Sequence, residues 1–511
     1  EHTMKANTLF GWLEHVAQEH GSKTAITFLR HGQVETEMSF AQLRDDATQF
    51  AATLRAGGVK KGDRVILLLA KSIFAVVAHF AIQAIGAIGV PLNPGFKKNE
   101  LEYLITDAGA SLIILSPEKK SLVQAINPEM EMLEVMTSQR YQELTFFKSA
   151  PKTMGVGEGT SEDPALIIYT SGTTGSPKGT ILTHKNLLHD ACNIMHTWEI
   201  TSDDVLCHVL PLFHVHGLCF ALQTLLLRGA HVRMLDQFVP EIVATELSRS
   251  TGDAVCSVFM AVPAMYTRLI DYLNGKYLDF SHMRLLTSGS APLLPKEFRR
   301  VSQVFGMEPV EREGMSETGM NFSNPLQGKR IPGSIGKPLP GLQVKIVDPK
   351  SFTEIAPGKV GELWLKSPSI TTGYWGKPEE TADTFKNGWF RTGDLGRVDA
   401  NGYYYLTDRI KHIIISGGEN ISAKEVEATI NQLDGVDESV VVGKADEKWG
   451  ERVVAAVKLK PGAKLTDGDV KDYCKSQLHN WKCPKELIFL DMIPRNTMGK
   501  VLKEDVKKLF V

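Results

Sequence analysis

The run Tyr169-Thr-Ser-Gly-Thr-Thr-Gly-Ser-Pro-Lys178-Gly179-Thr180 constrains this chain more than any other stretch. It follows the apolar segment Ala165 to Ile168, which reads as a short buried strand, and it precedes a helix-like stretch from Thr183, so the loop is pinned at both ends. Gly172, Gly175 and Gly179 lack the Cβ that would stop a backbone from wrapping an anion, and successive N–H groups can converge on phosphate oxygens. Ser171, Thr173, Thr174 and Ser176 add hydroxyls, and Lys178 adds a positive charge. The order is not that of the Gly-x4-Gly-Lys-Ser/Thr loop, because Pro177 stands before the lysine and Gly179 after it. By composition alone such a stretch is equally at home in a solvent loop.

The wording from Thr170 to Gly179 nevertheless resembles the phosphate loop of the adenylate-forming superfamily, which contains acyl-CoA synthetases, luciferases and peptide-synthetase adenylation domains. Further matches run from about residue 40 to the C-terminus, and together they identify the chain as similar to AMP-forming acyl-CoA synthetases. The resemblance implies that Thr170, Ser171, Gly172, Thr173, Thr174, Gly175 and Lys178 hold ATP phosphates.

At 511 residues the chain exceeds one compact core and should form several units. A formal net charge of −2 gives no electrostatic reason to expect nucleic acid or an anionic membrane as partner. The longest apolar region, Val65 to Val90, is broken by Lys71, Ser72, His79 and Gln83, so it is no membrane span. Residues before Met4 are left out of the fold reading, and no secretory pattern follows them. The six cysteines show no Cys-x-x-Cys pair, which favours buried thiols over metal ligands or disulfides. A cytoplasmic location is the expectation.

Between residues 38 and 150 strand-like and helix-like segments alternate: Ser39 opens a helix, Arg64–Ala70 reads as a strand, Ile73–Ile85 as a helix, Gly89–Leu92 as extended, Asn99–Ala108 as a helix and Ala110–Leu115 as a strand. Alternation of this kind implies an α/β fold with parallel-rich, covered sheets. Residues 149–163 read as a surface linker. Asp204–Leu210 is a further strand, entering Pro211-Leu-Phe213-His214-Val-His216-Gly217. Two histidines at i and i+2 would face opposite sides of a strand, which disfavours shared metal ligation. The segment resembles the family motif that walls the acyl pocket, with His214 and Gly217 in that place. The aspartate that peptide-synthetase domains carry after the Phe is missing, which argues against an amino-acid substrate.

Met283–Thr287 leads as a strand into Ser288-Gly289-Ser290-Ala291-Pro292, where small residues let a flat group approach the backbone. The resemblance places Ser290, Ala291 and Pro292 at the nucleotide and Val262, Ser288, Gly289 and Gly319 at the acyl group. It gives Glu313, Gly314, Met315 and Ser316 to the nucleotide and Glu317 to Mg²⁺, for which one or two protein carboxylates suffice. The family carries an aromatic, usually Tyr, where this chain has Glu313, and a carboxylate supplies no stacking face: either the nucleotide binds more weakly, or Glu313 accepts from the adenine amino group, or another ring has moved in. Asp394 and Arg409 are implied at the ribose.

Past Arg409 the pattern restarts as a small α+β unit, with Ile413–Ile415, Ser439–Val442, Val453–Val457 and Lys485–Leu490 as strands and Ala423–Leu433 as a helix. The resemblance therefore implies a large N-terminal domain over 4–408, a mobile C-terminal lid over 412–511 and a hinge at Lys411. Ser416, Gly417 and Gly418 would line a channel for CoA after rotation. Pro494-Arg-Asn-Thr-Met-Gly-Lys500 would be the catalytic loop. Lys500 would neutralise charge as the acid attacks the α-phosphate, with Lys178 and Glu317 as its catalytic companions. An exposed lysine there is also a target for a lysine acetyltransferase, since acetylation removes its charge. No oligomeric state follows.

The reaction implied is an acid–CoA ligation with Mg²⁺ as cofactor and with ATP and CoA as co-substrates, on a short-to-medium or cyclic acid. Pro494–Lys500 and Glu317–Pro325 look closest to malonyl-CoA synthetases, and a dicarboxylate would need a cation in the pocket. His214, Arg284 and Arg299 are the nearby choices. The alternatives are an adenylating enzyme that loads a carrier protein and a non-catalytic acyl or nucleotide sensor.

Overall fold

The structure is a computed structural model, and it describes residues 4–144, 159–170, 176–496 and 499–511. Backbone contacts divide the chain into two compact units. The first comprises 1–170, 177–343 and 366–383, and the second 171–176, 344–365 and 384–511.

The first unit is α/β, built on two sheets. The six-stranded sheet runs Met132–Glu134, Leu112–Leu115, Arg64–Leu68, Ile88–Pro91, Pro164–Thr170, Lys178–Thr183 in spatial order, and only its last pair is antiparallel. The nine-stranded sheet has a parallel centre, Val310–Met315, Leu285–Ser288, Val258–Ala261, Val205–His208, His231–Leu235 and Thr24–Arg30, with antiparallel strands at both edges. Such sheets need both faces covered, and the Ile73–Ala84 helix is buried along its whole length. Its N-cap Ser72 accepts a hydrogen bond from the Ala75 amide. The Lys98–Ala108 helix stops at Gly109, whose φ of 59° only glycine adopts without strain.

The second unit carries two sheets of five strands. One centres on the long strand Trp389–Val398, flanked by Gly361–Lys366 and Tyr404–Arg409. The other pairs Val436–Asp446 with Gly450–Leu459 along ten residues, and the Ala423–Asn431 helix packs its Val426 and Ile430 into the core beneath. Lys411 lies in the short turn Ile410–His412 that joins these two sheets. All six cysteines are free and buried. Among the described residues no helix is long and apolar enough to cross a membrane.

Candidate active site

The strand before the loop and the strand after it form a hairpin. Pro164–Thr170 pairs antiparallel with Lys178–Thr183, with Thr170 opposite Lys178 and Tyr169 opposite Gly179. The helix begins one residue past Thr183, whose hydroxyl accepts from the Asn186 amide as N-cap. Ser171, Gly172, Thr173, Thr174 and Gly175 lie outside the described residues, so the structure speaks for the base of the loop only. There Thr170 Oγ1 donates to the Lys178 carbonyl at 3.3 Å, and Tyr103 donates to the Pro177 carbonyl at 2.8 Å. Gly179 has a packing reason of its own, because a Cβ there would stand 2.7 Å from Ile167 Cγ2.

Lys178 Nζ lies 4.5 Å from the centre of the Tyr374 ring, whose hydroxyl donates to Glu317 Oε2 at 3.1 Å. One tyrosine thus touches both the cation and the acid. Tyr374 is held there because its segment pairs along Lys178–Thr183: the Trp375 amide bonds the Gly179 carbonyl, the Ile181 amide bonds the Gly373 carbonyl, and the Thr371 amide bonds the Glu317 carbonyl. Aromatic rings hold cations electrostatically, and the hydrogen bond fixes the carboxylate's orientation. The described residues contain no group of three or more His, Cys, Asp and Glu side chains able to cage a metal. One oriented carboxylate fits Mg²⁺ that completes its shell with phosphate and water.

The second feature of this unit is a buried guanidinium. Arg312, on the strand Val310–Met315, is 3% exposed, and its Nε and Nη2 have no hydrogen-bond partner among the described residues. It stacks on Phe220 at 5.1 Å and lies over Gly289, where a Cβ would stand 2.2 Å from the Arg312 Cζ. The flat group that approaches the backbone at Gly289 is therefore the protein's own arginine. Burial pulls its pKa down to about 10 against the opposing pull of Glu313 and Asp190. Asp190 is itself buried, accepts from the Met320 amide at 2.9 Å, and is pushed up to about 7 by desolvation. Around this group sit Ser288 with an unpartnered Oγ and His216 with an unpartnered Nε2. His216 Nδ1 pairs with Ser290 Oγ at 3.0 Å, and desolvation with Arg312 nearby holds it neutral.

The histidine segment departs from the strand reading. The strand ends at His208, and His216–Gln223 is a π-helical stretch, a form that recurs at functional sites. His214 is half-buried beside Phe213, and Gly217 makes room for the Pro211 carbonyl, 2.0 Å from where a Cβ would be. Val262 is half-buried at the start of a helix, and Gly319, at φ 80°, packs on Asp190. Ser290 takes a positive φ of 69°, and with Ala291 and Pro292 it is exposed. Gly314, Met315, Ser316 and Glu317 are half-buried at the tip of the Val310–Met315 and Gly319–Ser323 hairpin. Glu313 does not point to solvent: its Oε2 accepts from Asn321 Nδ2 at 3.0 Å, and Phe322 faces it across the strands, fully buried.

Two of the expected dicarboxylate partners are excluded by their surroundings. Arg284 forks onto Asp204 at 2.7 and 2.6 Å and donates to the Trp198 carbonyl, and Arg299 is exposed on a helix surface.

In the second unit Asp394 and Arg409 are cross-strand neighbours, with Arg409 Nη1 at 3.4 Å from Asp394 Oδ1. Asp394 sits within a strand, not at a helix cap. Gly393 before it takes a φ of 70°, and its amide is held by Glu362 Oε2. Gly417 and Gly418 have φ of 59° and 83° between the strands Ile413–Ser416 and Glu419–Ser422, the positive pair a two-residue hairpin of type I′ demands. Trp449 covers Gly417. Lys500 is exposed at the end of a tight turn in which its amide bonds Asn496 Oδ1 at 3.0 Å and its carbonyl accepts from the Asn496 amide at 2.8 Å. Thr497 and Met498 lie outside the described residues. Asp408 accepts from Ser422 Oγ and the Lys424 amide, bracing the far side of the Lys411 turn.

A family model described as AMP-binding enzyme matches residues 13–375, and a second, described as AMP-binding enzyme C-terminal domain, matches 425–500. The chain belongs to the AMP-binding enzyme family. Among its relatives, the mitochondrial malonate–CoA ligase of Bos taurus is 35% identical, with 94% of this chain and 87% of that protein covered. The feruloyl-CoA synthase of an Amycolatopsis species is 34% identical, covering 95% and 96%. The crystal structure of ATP-bound MatB from Rhodopseudomonas palustris superposes with a TM-score of 0.90 at 35% identity, covering 99% of each chain.

For a member of the AMP-binding enzyme family, the contacts that sequence reading missed are the long-range ones. Tyr374 lies far from Lys178 and Glu317 in the chain, and nothing in Gly373-Tyr-Trp marks it. Arg312 was passed over as one charge in Glu-Arg-Glu, although its position two residues before a glycine-bearing turn was readable.

Proposed function

We propose that this chain is an AMP-forming acid–CoA ligase and that its acid is a small dicarboxylate of the malonate type. The observation that carries the substrate is Arg312, a buried cation with two N–H donors open beside Ser288 and Gly289. A buried charge without a partner is costly, and a ligand carboxylate that forks onto it recovers that cost. A dicarboxylate can present one carboxylate to Arg312 while the other is activated. A monocarboxylate leaves Arg312 unpaired. The similarity to a malonate–CoA ligase supports the same choice.

In the first half-reaction a carboxylate oxygen of the acid attacks the ATP α-phosphorus and pyrophosphate leaves. In the second the CoA thiol attacks the acyl carbonyl and AMP leaves. Neither needs a protein nucleophile, so the side chains position and stabilise charge. Lys178 and the loop amides would hold the leaving pyrophosphate. Glu317 would hold Mg²⁺, which supplies neutralisation of phosphate charge. Asp394 and Arg409 would hold the ribose, Lys500 would neutralise the α-phosphate, and rotation about Lys411 would exchange Lys500 for the Ser416–Gly418 turn.

The test is the specificity constant on malonate, butanoate and ferulate, in the wild type and in Arg312→Leu. Malonate should be preferred by the wild type. Arg312→Leu should lose roughly 30-fold or more on malonate, as for a charge pair with one partner removed, and gain on butanoate. A wild type that favours ferulate, or a variant that keeps its malonate rate, refutes the dicarboxylate reading. Pyrophosphate release with every acid absent or unchanged refutes the ligase reading.

A further inference from the structure

A cavity of about 400 Å³ opens in the first unit where strand ends from both sheets meet. Its walls come from the residues just past four parallel strands: Leu69 to Lys71, Leu92 with Pro94, Val209 to Phe213 and Asp236 to Phe238. The carboxyl ends of parallel strands are where α/β sheets place ligands. Arg312, Ser288, Gly289 and His216 are not among its lining residues.

We propose that this cavity binds an unbranched medium-chain carboxylate, its head at the Lys71 ammonium and its chain on the apolar floor. The rim is polar and partly open, with Ala70 and Gln237 exposed and Lys71 half-buried. The floor is buried and apolar, made by Leu67, Gly89 and Leu166. The one polar ring at the floor, His79, is taken by Gln223 at 3.2 Å and is held neutral, its pKa near 4. A charged rim over an apolar floor fits an amphiphile whose head is anionic.

Lys71 is available for that head. Among the described residues its Nζ makes a single 3.3 Å bond, to the His208 carbonyl, which leaves two of three donors, and no carboxylate there stands within ion-pair distance. Asp236 on the same rim accepts from the amides of Gln237 and His31 and lies 3.7 Å from the His31 ring nitrogen, and its charge also acts on Lys71 without pairing with it. Burial among these walls lowers the Lys71 pKa to about 7, and a bound carboxylate would restore its charge.

Titration calorimetry of the full chain with butanoate, hexanoate, octanoate and 1-octanol tests this. The wild-type dissociation constant should fall about fourfold per added methylene. Octanoate should bind at least tenfold tighter than octanol. Lys71→Met should bring octanoate to the octanol level and leave octanol unchanged, while Arg312→Leu, which alters the site for short acids, should leave the octanoate-to-octanol ratio in place. Absence of octanoate binding at millimolar concentration overturns the proposal, and so does octanoate affinity unchanged in Lys71→Met or lost in Arg312→Leu. The chain-length series and the octanol comparison are read on the wild type, so they stand even where Lys71→Met folds poorly.

Discussion

Lys178 and Lys500 carry the same charge in opposite settings. Lys178 is fixed from far away in sequence, by a ring that also holds Glu317. Lys500 is exposed, and the turn that presents it closes through Asn496, four residues back, and Gly499 at φ 83°. The first arrangement suits a group that must stay in one place through both half-reactions. The second suits a group delivered for one step and withdrawn for the next, because a short local turn carries it.

The sharpest way to break that comparison is Lys500→Ala. Adenylate formation should fall by ~10²–10³, as when one preorganised charge-stabilising donor is lost, while thioester formation from supplied acyl-adenylate stays near wild type. Equal loss of both steps in a protein with native circular dichroism would mean that Lys500 is as stationary as Lys178. Lys411→Pro should give the mirror image, with adenylate made normally and thioester formation down roughly 100-fold, since a locked φ opposes rotation there. Normal thioester rates in single-turnover assays would move the pivot elsewhere.

Smaller effects should probe the stationary side. Tyr374→Phe keeps the ring against Lys178 and removes the hydroxyl from Glu317, so adenylation should slow about fivefold, the worth of one hydrogen bond of ~1 kcal/mol. A drop as large as that of Tyr374→Leu would assign the whole effect to Glu317. Smallest is Glu313→Tyr, which should lower the KM for ATP about threefold by offering adenine a ring to stack on. An unchanged or raised KM in steady-state kinetics would show that the Glu313–Asn321 pair already performs that task.

How much was readable follows the same division. The Asn496–Lys500 turn and the Gly417-Gly418 hairpin are local, so residue order carries them, as it does the buried strand that leads up to Thr170. The alternation from Arg64 to Leu115 gave the α/β class because buried parallel strands are short apolar runs. The Asp204–Leu210 reading overshoots the strand Val205–His208 by one residue at its start and two at its end: apolarity continues past His208 into the loop, and no hydrophobic pattern marks where hydrogen bonding stops. The His216–Gln223 π-helical stretch has no sequence period of its own. Tyr374 and Arg312 gain their places through pairings that cross many intervening residues, which no local signal encodes.

The contact between Gly289 and Arg312 also orders the routes by which this pocket can change. With the guanidinium in place, a Cβ at 289 would stand 2.2 Å from its Cζ, so Gly289→Ala alone should push the arginine out of its present position. Once Arg312 has become a small apolar residue, the same change fills the space it vacated. The two substitutions are then strongly non-additive, and their sequence matters. On the proposed dicarboxylate reading, losing the arginine first eases any enlargement of the glycine, whereas the opposite order has to displace the guanidinium before it can begin.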